Sequence, residues 1–571
     1  MGLNFNLMVG GEAGQGVQSI GFILAKAFTR GGFHVFADQD YESRVRGGHN
    51  FFRVRISNSK LEAISESVDI LLALNQESVD LHRGRLAREG MMVFDQGRVK
   101  DISGDNFFAV PMADLAEEKV GNKLMANTVA LGVVLRLVGY DFKIAADVLR
   151  EQFGAVGAGE DNVRAAAAGY EYATSNLKGS LGWSLNPIDS RKRMLINGNE
   201  AIALGAVAAG CTFMAAYPMT PSTSIMEYMA DKSRETGLVV IQPEDEIAAI
   251  NMVIGAAFAG ARAMTATSGG GFCLMVEGLG LAGMTETPIV VVVGQRPGPA
   301  IGLPTRTEQS DLQFAIYASH GEFPRAVLAP ANIEHAFWLT VKAFNLAEKY
   351  QLPVILLTDQ HLASSYSTVD RFDLSRVSID RGLLASEKDI VSIGKYRRHQ
   401  ITPSGISPRS LPLQGNVLVV TDADEHNEEG HLIEDASTRT RMMLKRLHKV
   451  EGLQAEINPP RIYGPHRAET ALMGWGSTYG ALKEAVDILQ GEGLDVNLLH
   501  LSEIWPFPAK TVCALLDGVK QSFVVENNAT GQLARLIQSE TGRRVTGNIL
   551  KFDGRPFTPA LIIEEFKREV S

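Results

Sequence analysis

The stretch EDEIAAINMVIGAAFAGARAMTATSGGG, residues 244–271, contains the alternation that decides the fold. Three acidic residues come first, and a nearly uncharged run of small apolar residues with the length of a helix follows. ARAMTATS then has the composition of a buried strand and leads into three glycines. Helices and strands joined by glycine-rich loops are typical of α/β proteins, whose binding loops follow the strands. The stretch therefore predicts an α/β domain with functional loops at its strand ends.

The same alternation occurs on both sides of this stretch. NFNLMV (4–9) and HVFADQD (34–40) have the composition of strands around a helix-like segment, and a similar unit begins near residue 469. We therefore predict an α/β fold class with three α/β domains, the first built on a parallel sheet. The predicted divisions are a first domain at 1–180, a second at 195–395, a connecting region at 396–465 and a third domain at 466–571.

Composition disfavours several classes of protein. The chain has 571 residues, enough for several buried cores, and its net charge of −10 disfavours a nucleic-acid surface. Its cysteines, Cys211, Cys273 and Cys513, form no CxxC pair, so we expect no disulfide framework, iron–sulfur cluster or other metal site on this chain. The amino terminus lacks the features of a signal peptide, and no apolar run reaches ~18 residues free of charge. We expect a cytoplasmic protein that binds neither nucleic acid nor membrane.

A rigid turn stands in AAYPMTPSTSIMEYM, residues 215–229. Pro218 and Pro221 restrict their own backbone and that of the residue before them. The pattern predicts a strand, a stiff turn and a helix that begins near Pro221 with Thr220 as its cap. The hydroxyls that follow either serve only the helix start or, with the free N–H groups there, hold an anion such as a carboxylate.

Two glycine-rich segments near the amino terminus allow several interpretations. GGEAGQG (10–16) is a structural turn, a phosphate-binding loop, or an NAD site in which Asp38 would bind the ribose, although its glycine spacing differs from GxGxxG. YESRVRGGHNFF (41–52) places Arg44 and Arg46 beside two glycines, either as a solvated basic turn or as a clamp on a phosphorylated ligand. The sequence leaves these alternatives open.

Two further positions allow a structural or a chemical role. One acid at the start of 244–271 either meets the dipole of its helix or is partly buried, with a raised pKa suited to proton transfer. In VGQRPGPAIGLPTRTEQSDL (293–312), Arg296 stands between an apolar strand and two prolines. It either donates to loop carbonyls or recognises a carboxylate through two parallel hydrogen bonds.

Six segments taken together resemble one known family. They are YPMTP (217–221), EDEIAAINMVIGAAFAGARAMTATSGGG (244–271), GQRPGPAIGLPT (294–305), VVENNATGQLA (524–534), GEAGQG (11–16) and RVRGGHNFF (44–52). The chain resembles the alpha subunit of the 2-oxoacid:ferredoxin oxidoreductases, in particular the 2-oxoglutarate type, in which a gamma-like domain is fused in front. The resemblance covers essentially the whole chain. It implies a gamma-type domain, a pyrimidine-binding-type domain for thiamine diphosphate and a transketolase C-terminal-type domain, in that order.

The resemblance implies roles for individual residues. In the family, a glutamate that bonds the aminopyrimidine ring of thiamine diphosphate stands nine residues before a Gly-Ala pair. Counting back from Gly255 gives Glu246, with Glu244 second. The resemblance implies that the cofactor is contacted by Glu246, Pro218 and Ser268, and that the 2-oxoacid is contacted by Tyr217, Thr220, Arg296 and Thr305. The residues implied to face coenzyme A are Gly14, Gln15, Gly16, Arg44 and Arg46. Arg306 or Arg262 would bind the far carboxylate of the substrate.

The resemblance also implies a reaction and its partners. The expected reaction is the oxidative decarboxylation of 2-oxoglutarate to succinyl-CoA with electrons passing to ferredoxin, and its reverse would fix CO2, as in a reductive TCA cycle. A beta subunit is expected to carry Mg2+, the diphosphate site and a 4Fe-4S cluster, in an (alpha-beta)2 heterotetramer. Pyruvate, a broad range of 2-oxoacids or indolepyruvate are alternative substrates of the same mechanism. An NAD-linked dehydrogenase built on GGEAGQG and a non-catalytic scaffold are the alternatives from other classes.

Overall fold

The computed structural model divides the chain into two compact units. The described residues are 3–43, 47–102, 104, 106–177, 183–188, 192–386, 388–390 and 395–570. The first unit comprises Met1–Asn197, Ser364–Phe372 and Thr558–Ala560, and the second comprises Gly198–Ala363, Asp373–Phe557 and Leu561–Ser571.

Strands and helices alternate along most of the chain. The strands are β1 (Asn4–Glu12), β2 (His34–Asp40), β3 (His49–Ser57), β4 (Val68–Ala73), β5 (Leu86–Asp95), β6 (Phe107–Val110), β7 (Met194–Asn197), β8 (Phe213–Ala215), β9 (Val239–Ile241), β10 (Ala263–Ser268), β11 (Ile289–Gln295), β12 (Ala326–Leu328), β13 (Pro353–Asp359), β14 (Tyr366–Val369), β15 (Arg461–Tyr463), β16 (Thr470–Trp475), β17 (Val496–Leu501), β18 (Glu503–Trp505), β19 (Gln521–Glu526) and β20 (Gly547–Leu550). The helices are α1 (Val17–Arg30), α2 (Gln76–His82), α3 (Met112–Val120), α4 (Ala126–Leu137), α5 (Phe142–Phe153), α6 (Ala158–Asn176), α7 (Gly198–Ala208), α8 (Thr223–Thr236), α9 (Glu246–Phe258), α10 (Gly269–Met284), α11 (Leu312–Tyr317), α12 (Ile333–Tyr350), α13 (Gln360–Ser364), α14 (Ala436–Glu456), α15 (Tyr479–Gly491), α16 (Ala509–Leu516), α17 (Gln532–Thr541) and α18 (Pro559–Val570). No helix within the described ranges combines the length and the apolar character that crossing a membrane requires.

The sheet of the first unit is mixed rather than parallel. Its described strands lie in the order β6-β5-β4-β1-β3-β2-β14-β7. β1 is parallel to β4, and β4, β5 and β6 are parallel to one another, but β3 is antiparallel to both β1 and β2. The prediction of a parallel sheet is wrong for this unit, because β3 covers part of the segment whose sequence suggests a basic turn.

Two arginines of β3 are paired with residues on neighbouring strands. The Nε of Arg53 donates to Asp38 Oδ1 on β2 at 2.8 Å, and the Nε of the buried Arg55 donates to Asn4 Oδ1 at 2.9 Å. FRVRI (52–56) alternates apolar and charged residues with the period of a strand, and these pairings hold its arginines within the sheet. The Asp38 carboxylate is therefore already paired with Arg53, and β3 separates β2 from β1. A dinucleotide-binding fold instead places the ribose-binding acid on a strand beside the first.

The described part of the second unit contains two sheets. The larger has the order β18-β12-β13-β11-β10-β8-β9 and is parallel except at β18. The smaller has the order β15-β17-β16-β19-β20 and is parallel except at β15. Every residue of β10, β11 and β13 is buried, as in a sheet covered by helices on both faces. The sheets and helices confirm the predicted α/β fold class.

Loop contacts join the two sheets of the second unit. The buried Gln309 donates from Nε2 to the Trp475 carbonyl at 2.9 Å, and its Oε1 accepts from the Asn527 N–H at 3.1 Å. Trp475 ends β16, and Asn527 follows β19 directly. These bonds hold the far part of the loop after β11 against the strand ends of the smaller sheet.

Candidate active site

Three of the predicted loops meet at one edge of the larger sheet. β11, β10 and β8 are parallel neighbours, and Ser268 stands opposite Gly294 in their register. β8 leads into the YPMTP turn, β10 into the GGG start of α10, and β11 into QRPGP. Because the carboxyl ends of parallel strands lie at the same edge, these loops form the kind of crevice in which α/β folds bind ligands.

Glu246 is the first residue of α9, and its side chain lies inside the protein. Asp245 caps this helix, since its Oδ1 accepts the Ala248 N–H at 2.8 Å, so capping does not occupy Glu246. Glu246 is only 3 % exposed, whereas Glu244 lies on the surface. Burial therefore favours Glu246 over Glu244 as the acid that faces a ligand. The carboxylate also stands in the first turn of its helix, as the first interpretation of this acid predicts.

Two buried polar atoms at this edge have no hydrogen-bond partner among the described residues. They are Glu246 Oε1 and Ser268 Oγ, and Ser268 is fully buried. A Cβ added to Gly271 would lie 2.6 Å from Glu246 Oε1, which places the carboxylate against the first turn of α10. Because buried polar groups in proteins are almost always hydrogen-bonded, the two atoms indicate a polar ligand.

The helix after the YPMTP turn starts later than predicted. α8 begins at Thr223 with Ser222 in the N-cap position, so Thr220 is not the cap and Pro221 does not open the helix. The Ser222 hydroxyl donates back into the turn at 2.8 Å, and Asn199 Nδ2 donates to the Pro221 carbonyl at 2.7 Å. These bonds extend the turn beyond the proline, which explains the shift.

The structure brings Arg296 against the same turn. Its Nη1 donates to the Thr220 carbonyl at 2.7 Å, across 76 positions of the chain. Arg296 is 8 % exposed, and burial lowers its pKa, an effect that the nearby Asp311 carboxylate opposes. One donor of the guanidinium thus serves a loop carbonyl, as the structural interpretation predicts, and a guanidinium has four more. Tyr217 is exposed and Pro218 half-buried on this turn.

Thr305 lies farther along the loop that Arg296 begins. It is buried, but within the described part of the chain no hydrogen bond joins it to Arg296. Two residues later the Thr307 hydroxyl donates to Asp359 Oδ1 at 3.2 Å, which anchors the loop to the end of β13. The structure therefore brings Thr220 and Arg296 together directly, and it places Thr305 on the same anchored loop.

Asp311 belongs to this site although no sequence pattern indicated it. Its backbone N–H donates to Gln295 Oε1 at 3.0 Å, and a Cβ on Gly269 would lie 2.5 Å from its Oδ2. The carboxylate thus sits between the end of β11 and the start of α10. Burial raises the pKa of Asp311 to about 6, Glu308 adds to the rise and Arg296 opposes it. An aspartate directly before a helix looks like an ordinary cap, so nothing in the sequence set it apart.

Known proteins similar to this chain identify its family. The 2-oxoacid:ferredoxin oxidoreductase subunit alpha of a Sulfolobus species is 34 % identical over 617 residues, a match that covers 97 % of this chain and 95 % of the relative. The chain belongs to the 2-oxoacid:ferredoxin oxidoreductases. Within that family it corresponds to the alpha subunit, so it is part of an oxidoreductase enzyme, as the motifs predicted.

Three family descriptions match successive parts of this oxidoreductase chain. "Pyruvate ferredoxin/flavodoxin oxidoreductase" matches 6–172, "Pyruvate flavodoxin/ferredoxin oxidoreductase, thiamine diP-bdg" matches 204–445, and "Pyruvate:ferredoxin oxidoreductase core domain II" matches 468–562. The thiamine diphosphate-binding part contains Glu246, Ser268 and every residue predicted around the 2-oxoacid.

A solved structure and a second relative carry the name of one substrate. The 2-oxoglutarate:ferredoxin oxidoreductase of Magnetococcus marinus, solved with 2-oxoglutarate, coenzyme A and succinyl-CoA bound, is 33 % identical with a TM-score of 0.93 over 100 % of both chains. The 2-oxoglutarate synthase subunit KorA of Archaeoglobus fulgidus is 35 % identical, covering 66 % of this chain and 99 % of the relative. The predicted family and fold are confirmed, and the enzyme is a thiamine diphosphate-dependent 2-oxoacid oxidoreductase.

The glycine-rich loop of the oxidoreductase's first unit forms a tight turn. β1 runs through the first two glycines of GGEAGQG and ends at Glu12. Gly14 and Gly16 have positive φ angles of 94° and 76°, and the Gln15 side chain accepts the Glu12 N–H at 2.7 Å. The structural-turn interpretation is observed directly, and contact of Gly14, Gln15 and Gly16 with coenzyme A stays a prediction.

Arg262 is not placed to bind the far carboxylate of a 2-oxoacid. It precedes β10, at the sheet edge opposite the loops, and it donates to a backbone carbonyl and to Asn345 Oδ1, each at 2.7 Å. Arg306 stays a candidate for that role. Arg44 and Arg46 lie outside the described residues.

Proposed function

We propose that this chain is the alpha subunit of a 2-oxoglutarate:ferredoxin oxidoreductase. The enzyme converts 2-oxoglutarate and coenzyme A to succinyl-CoA, CO2 and a proton while two ferredoxins each accept one electron, and the reaction is reversible. The observation that carries the proposal is the buried Glu246 carboxylate, which has no hydrogen-bond partner among the described residues, at the sheet edge where Arg296 meets Thr220. The ligands bound to the Magnetococcus marinus enzyme support the choice of 2-oxoglutarate and coenzyme A.

The residues at this edge fit thiamine diphosphate. Its aminopyrimidine ring has a ring nitrogen and an amino group, which match the unpartnered atoms of Glu246 and Ser268. Glu246 would hold a proton at the ring nitrogen, a role that suits a carboxylate in a mostly apolar site. Pro218 would line the same pocket. When bound, the cofactor supplies a nucleophilic carbon and an electron sink for decarboxylation.

The substrate carboxylate beside the keto group would lie against Arg296. The guanidinium gives one Nη donor to the Thr220 carbonyl and keeps others for an anion. Its burial strengthens that attraction, because charges interact more strongly where water is excluded. The hydroxyls of Thr220, Thr305 and Tyr217 would contact the carboxylate or the keto oxygen. This chain would thus bind and orient the 2-oxoacid.

A beta subunit would complete the enzyme. It would carry Mg2+, the diphosphate site and a 4Fe-4S cluster, since the three cysteines of this chain are dispersed and one of them is buried. Large apolar side chains are exposed on α9 and α10, namely Ile247, Met252 and Leu274, and an apolar surface of this kind is what a protein partner covers. The assembly would be an (alpha-beta)2 heterotetramer in the cytoplasm. Run in reverse with reduced ferredoxin, it would serve CO2 fixation in a reductive TCA cycle.

Coenzyme A would approach the first unit. The turn at Gly14, Gln15 and Gly16 follows a strand, and its glycines let backbone N–H groups point toward a phosphate. Arg44 and Arg46 would add positive charge for the phosphates of coenzyme A.

The substrate is tested by coenzyme A-dependent reduction of a viologen dye, using the chain co-purified with its partner. We expect kcat/KM for 2-oxoglutarate to exceed that for pyruvate, 2-oxobutyrate and indolepyruvate by ~100-fold, about 2.7 kcal/mol. Broad or pyruvate-led activity would keep the mechanism and replace the substrate. Inactivity with every 2-oxoacid, in a complex shown to contain thiamine diphosphate and clusters, would contradict the proposed function.

A further inference from the structure

Asp311 stands where the loop after β11 returns to the sheet edge. Its backbone N–H donates to the side-chain oxygen of Gln295 at 3.0 Å, and Gln295 Nε2 donates in turn to the Thr358 carbonyl at 3.1 Å. Gln295 is fully buried. Through the Gln295 side chain, the backbone of Asp311 is therefore held at the ends of both β11 and β13. Gln295 is the last residue of β11, and Arg296 follows it directly.

The Asp311 side chain is directed at the first turn of α10. A Cβ on Gly269 would lie 2.5 Å from Asp311 Oδ2, so a residue larger than glycine has no room there. Ser268, directly before Gly269, has a buried hydroxyl without a partner among the described residues. Within the same described ranges, the Asp311 carboxylate itself has neither a hydrogen bond nor an ion pair. It is a half-buried acid at the site, with no such partner in the described part of the chain.

Few charged groups act on this carboxylate. Arg296, on the strand end beside it, favours its ionised form, and Glu308, on the same loop, disfavours it. From α10, the titratable side chain that responds to Asp311 is Cys273: burial raises the pKa of its thiol, and the charge of Asp311 adds to the rise. Asp311 is thus the carboxylate that acts on the Arg296 guanidinium before any substrate arrives. A substrate carboxylate at Arg296 would add a second anion near that guanidinium.

We propose that Asp311 is a positioning residue that takes up a proton when a 2-oxoacid carboxylate binds at Arg296. This inference rests on the proposed function, because it assumes that Arg296 receives that carboxylate. Protonation of Asp311 would remove the repulsion between its carboxylate and the carboxylate of the substrate near Arg296. The proton comes from solvent and returns to solvent when the ligand leaves, so no other reactant is needed.

The direction of the expected pH dependence follows from the charges. The pKa of Asp311 is already raised to about 6 by burial, and an added anion raises it further. At pH 7 the free site is mostly ionised, so protonation of Asp311 on binding takes up a proton from solvent. At pH 5 both states are mostly protonated and uptake is small. Affinity for the carboxylate therefore falls as pH rises above about 6, by up to about tenfold per pH unit.

The test is titration calorimetry on the assembled complex with thiamine diphosphate bound. The probes are oxamate and N-oxalylglycine, whose amide carbonyls resist nucleophilic attack, so binding is measured without turnover. Comparing two buffers of different ionisation enthalpy gives the number of protons taken up. We expect net proton uptake at pH 7, up to about one proton per bound molecule, and a much smaller uptake at pH 5. Asp311→Asn should reduce uptake at pH 7 to near zero.

Two further variants keep the test decisive. Glu322→Gln removes a carboxylate of the same unit that does not act on Asp311, and uptake should stay unchanged. Glu308→Gln should lower the pKa of free Asp311 and move the onset of uptake to lower pH, a result that does not require the Asp311→Asn complex to assemble. Binding without uptake in the unmodified complex, or uptake that persists in Asp311→Asn, would overturn the inference alone. Failure of both probes to bind would overturn it together with the assignment of Arg296 to the substrate.

Discussion

At the scale of single residues, Arg296 serves the fold and the ligand through one guanidinium. Its bond to the Thr220 carbonyl fixes the side chain at the sheet edge, and we propose that its remaining donors bind the substrate carboxylate. A buried arginine of this kind loses no further rotamer freedom when an anion arrives. Preorganisation of this sort increases affinity without adding contacts.

Replacing Arg296 with lysine tests this dual role. A single ammonium cannot both hold the Thr220 carbonyl and form a two-point contact with a carboxylate. We expect kcat/KM for the 2-oxoacid to fall ~100-fold, about 2.7 kcal/mol, mainly through a higher KM in steady-state assays of the complex. Arg376→Lys is the matched control, because Arg376 stacks on Trp338 at 4.6 Å, far along the chain from the loops. An unchanged KM in Arg296→Lys would contradict the assignment.

At the scale of elements, the first turn of α10 determines how close Glu246 can approach. A Cβ on Gly271 would meet Thr267 Oγ1 at 2.1 Å and Glu246 Oε1 at 2.6 Å, whereas the nearest described atom to a Cβ on Gly270 is the Ala300 carbonyl oxygen at 3.8 Å. Gly271→Ala should therefore displace the carboxylate and weaken thiamine diphosphate binding at least ~10-fold in a titration of the complex. Gly270→Ala, one position away in the same turn, should change it less than ~2-fold. Equal effects of both substitutions would argue against contact between Glu246 and the cofactor.

A buried charge cluster connects the far end of α10 to α14. Glu286, just beyond α10, pairs with Lys445 and Lys449 of α14 and accepts from His399 Nδ1 at 2.9 Å, and all of these groups are buried. Glu286→Gln would leave two buried ammonium groups without a counter-charge. We expect it to lower the free energy of unfolding by about 3–5 kcal/mol in urea titrations.

The control for this cluster is Glu277→Gln, which alters an exposed acid on α10 and should change the free energy of unfolding by less than about 0.5 kcal/mol. Lowering the pH should reduce the free energy of unfolding, as Glu286→Gln does. Burial alone would raise the pKa of Glu286, but Lys445 and Lys449 outweigh it and hold the pKa well below the ordinary value of 4.5. The stabilisation is therefore present above about pH 4.5 and is lost as pH falls below it. Identical acid profiles for the parent protein and Glu286→Gln would contradict this account.

At the scale of the whole molecule, local signals and long-range contacts differ in what a sequence reveals. β1, β2 and the segment 244–271 follow hydrophobic periodicity, so they could be predicted. β3 also alternates in FRVRI (52–56), but the arginines in and before it suggested a basic turn, and the partners of Arg53 and Arg55, Asp38 and Asn4, lie on neighbouring strands. The choice of Glu246 rested on a motif, and its burial became visible only when α9 and α10 were packed together.

Other features of the site depend on chain segments that are distant in sequence. The start of α8 at Thr223 depends on a bond from Asn199, and the place of Asp311 depends on the returning loop and on Gln295. Neither hydrophobic periodicity nor a motif predicts such contacts, because each partner residue is of a common type for its own segment. The sequence therefore indicated which loops form the site but not which carboxylate stands beside Arg296.

The central claim is that the buried, unpartnered Glu246 carboxylate acts on thiamine diphosphate. The most direct measurement is the turnover of the assembled complex carrying Glu246→Gln, with Glu244→Gln as the matched control and cofactor content measured for both. We expect Glu246→Gln to lower kcat by ~100-fold or more, in the range that proton-transfer residues contribute, and the exposed Glu244→Gln to stay within ~2-fold of the parent. Unchanged turnover in Glu246→Gln, or an equal loss in both variants, would contradict the claim.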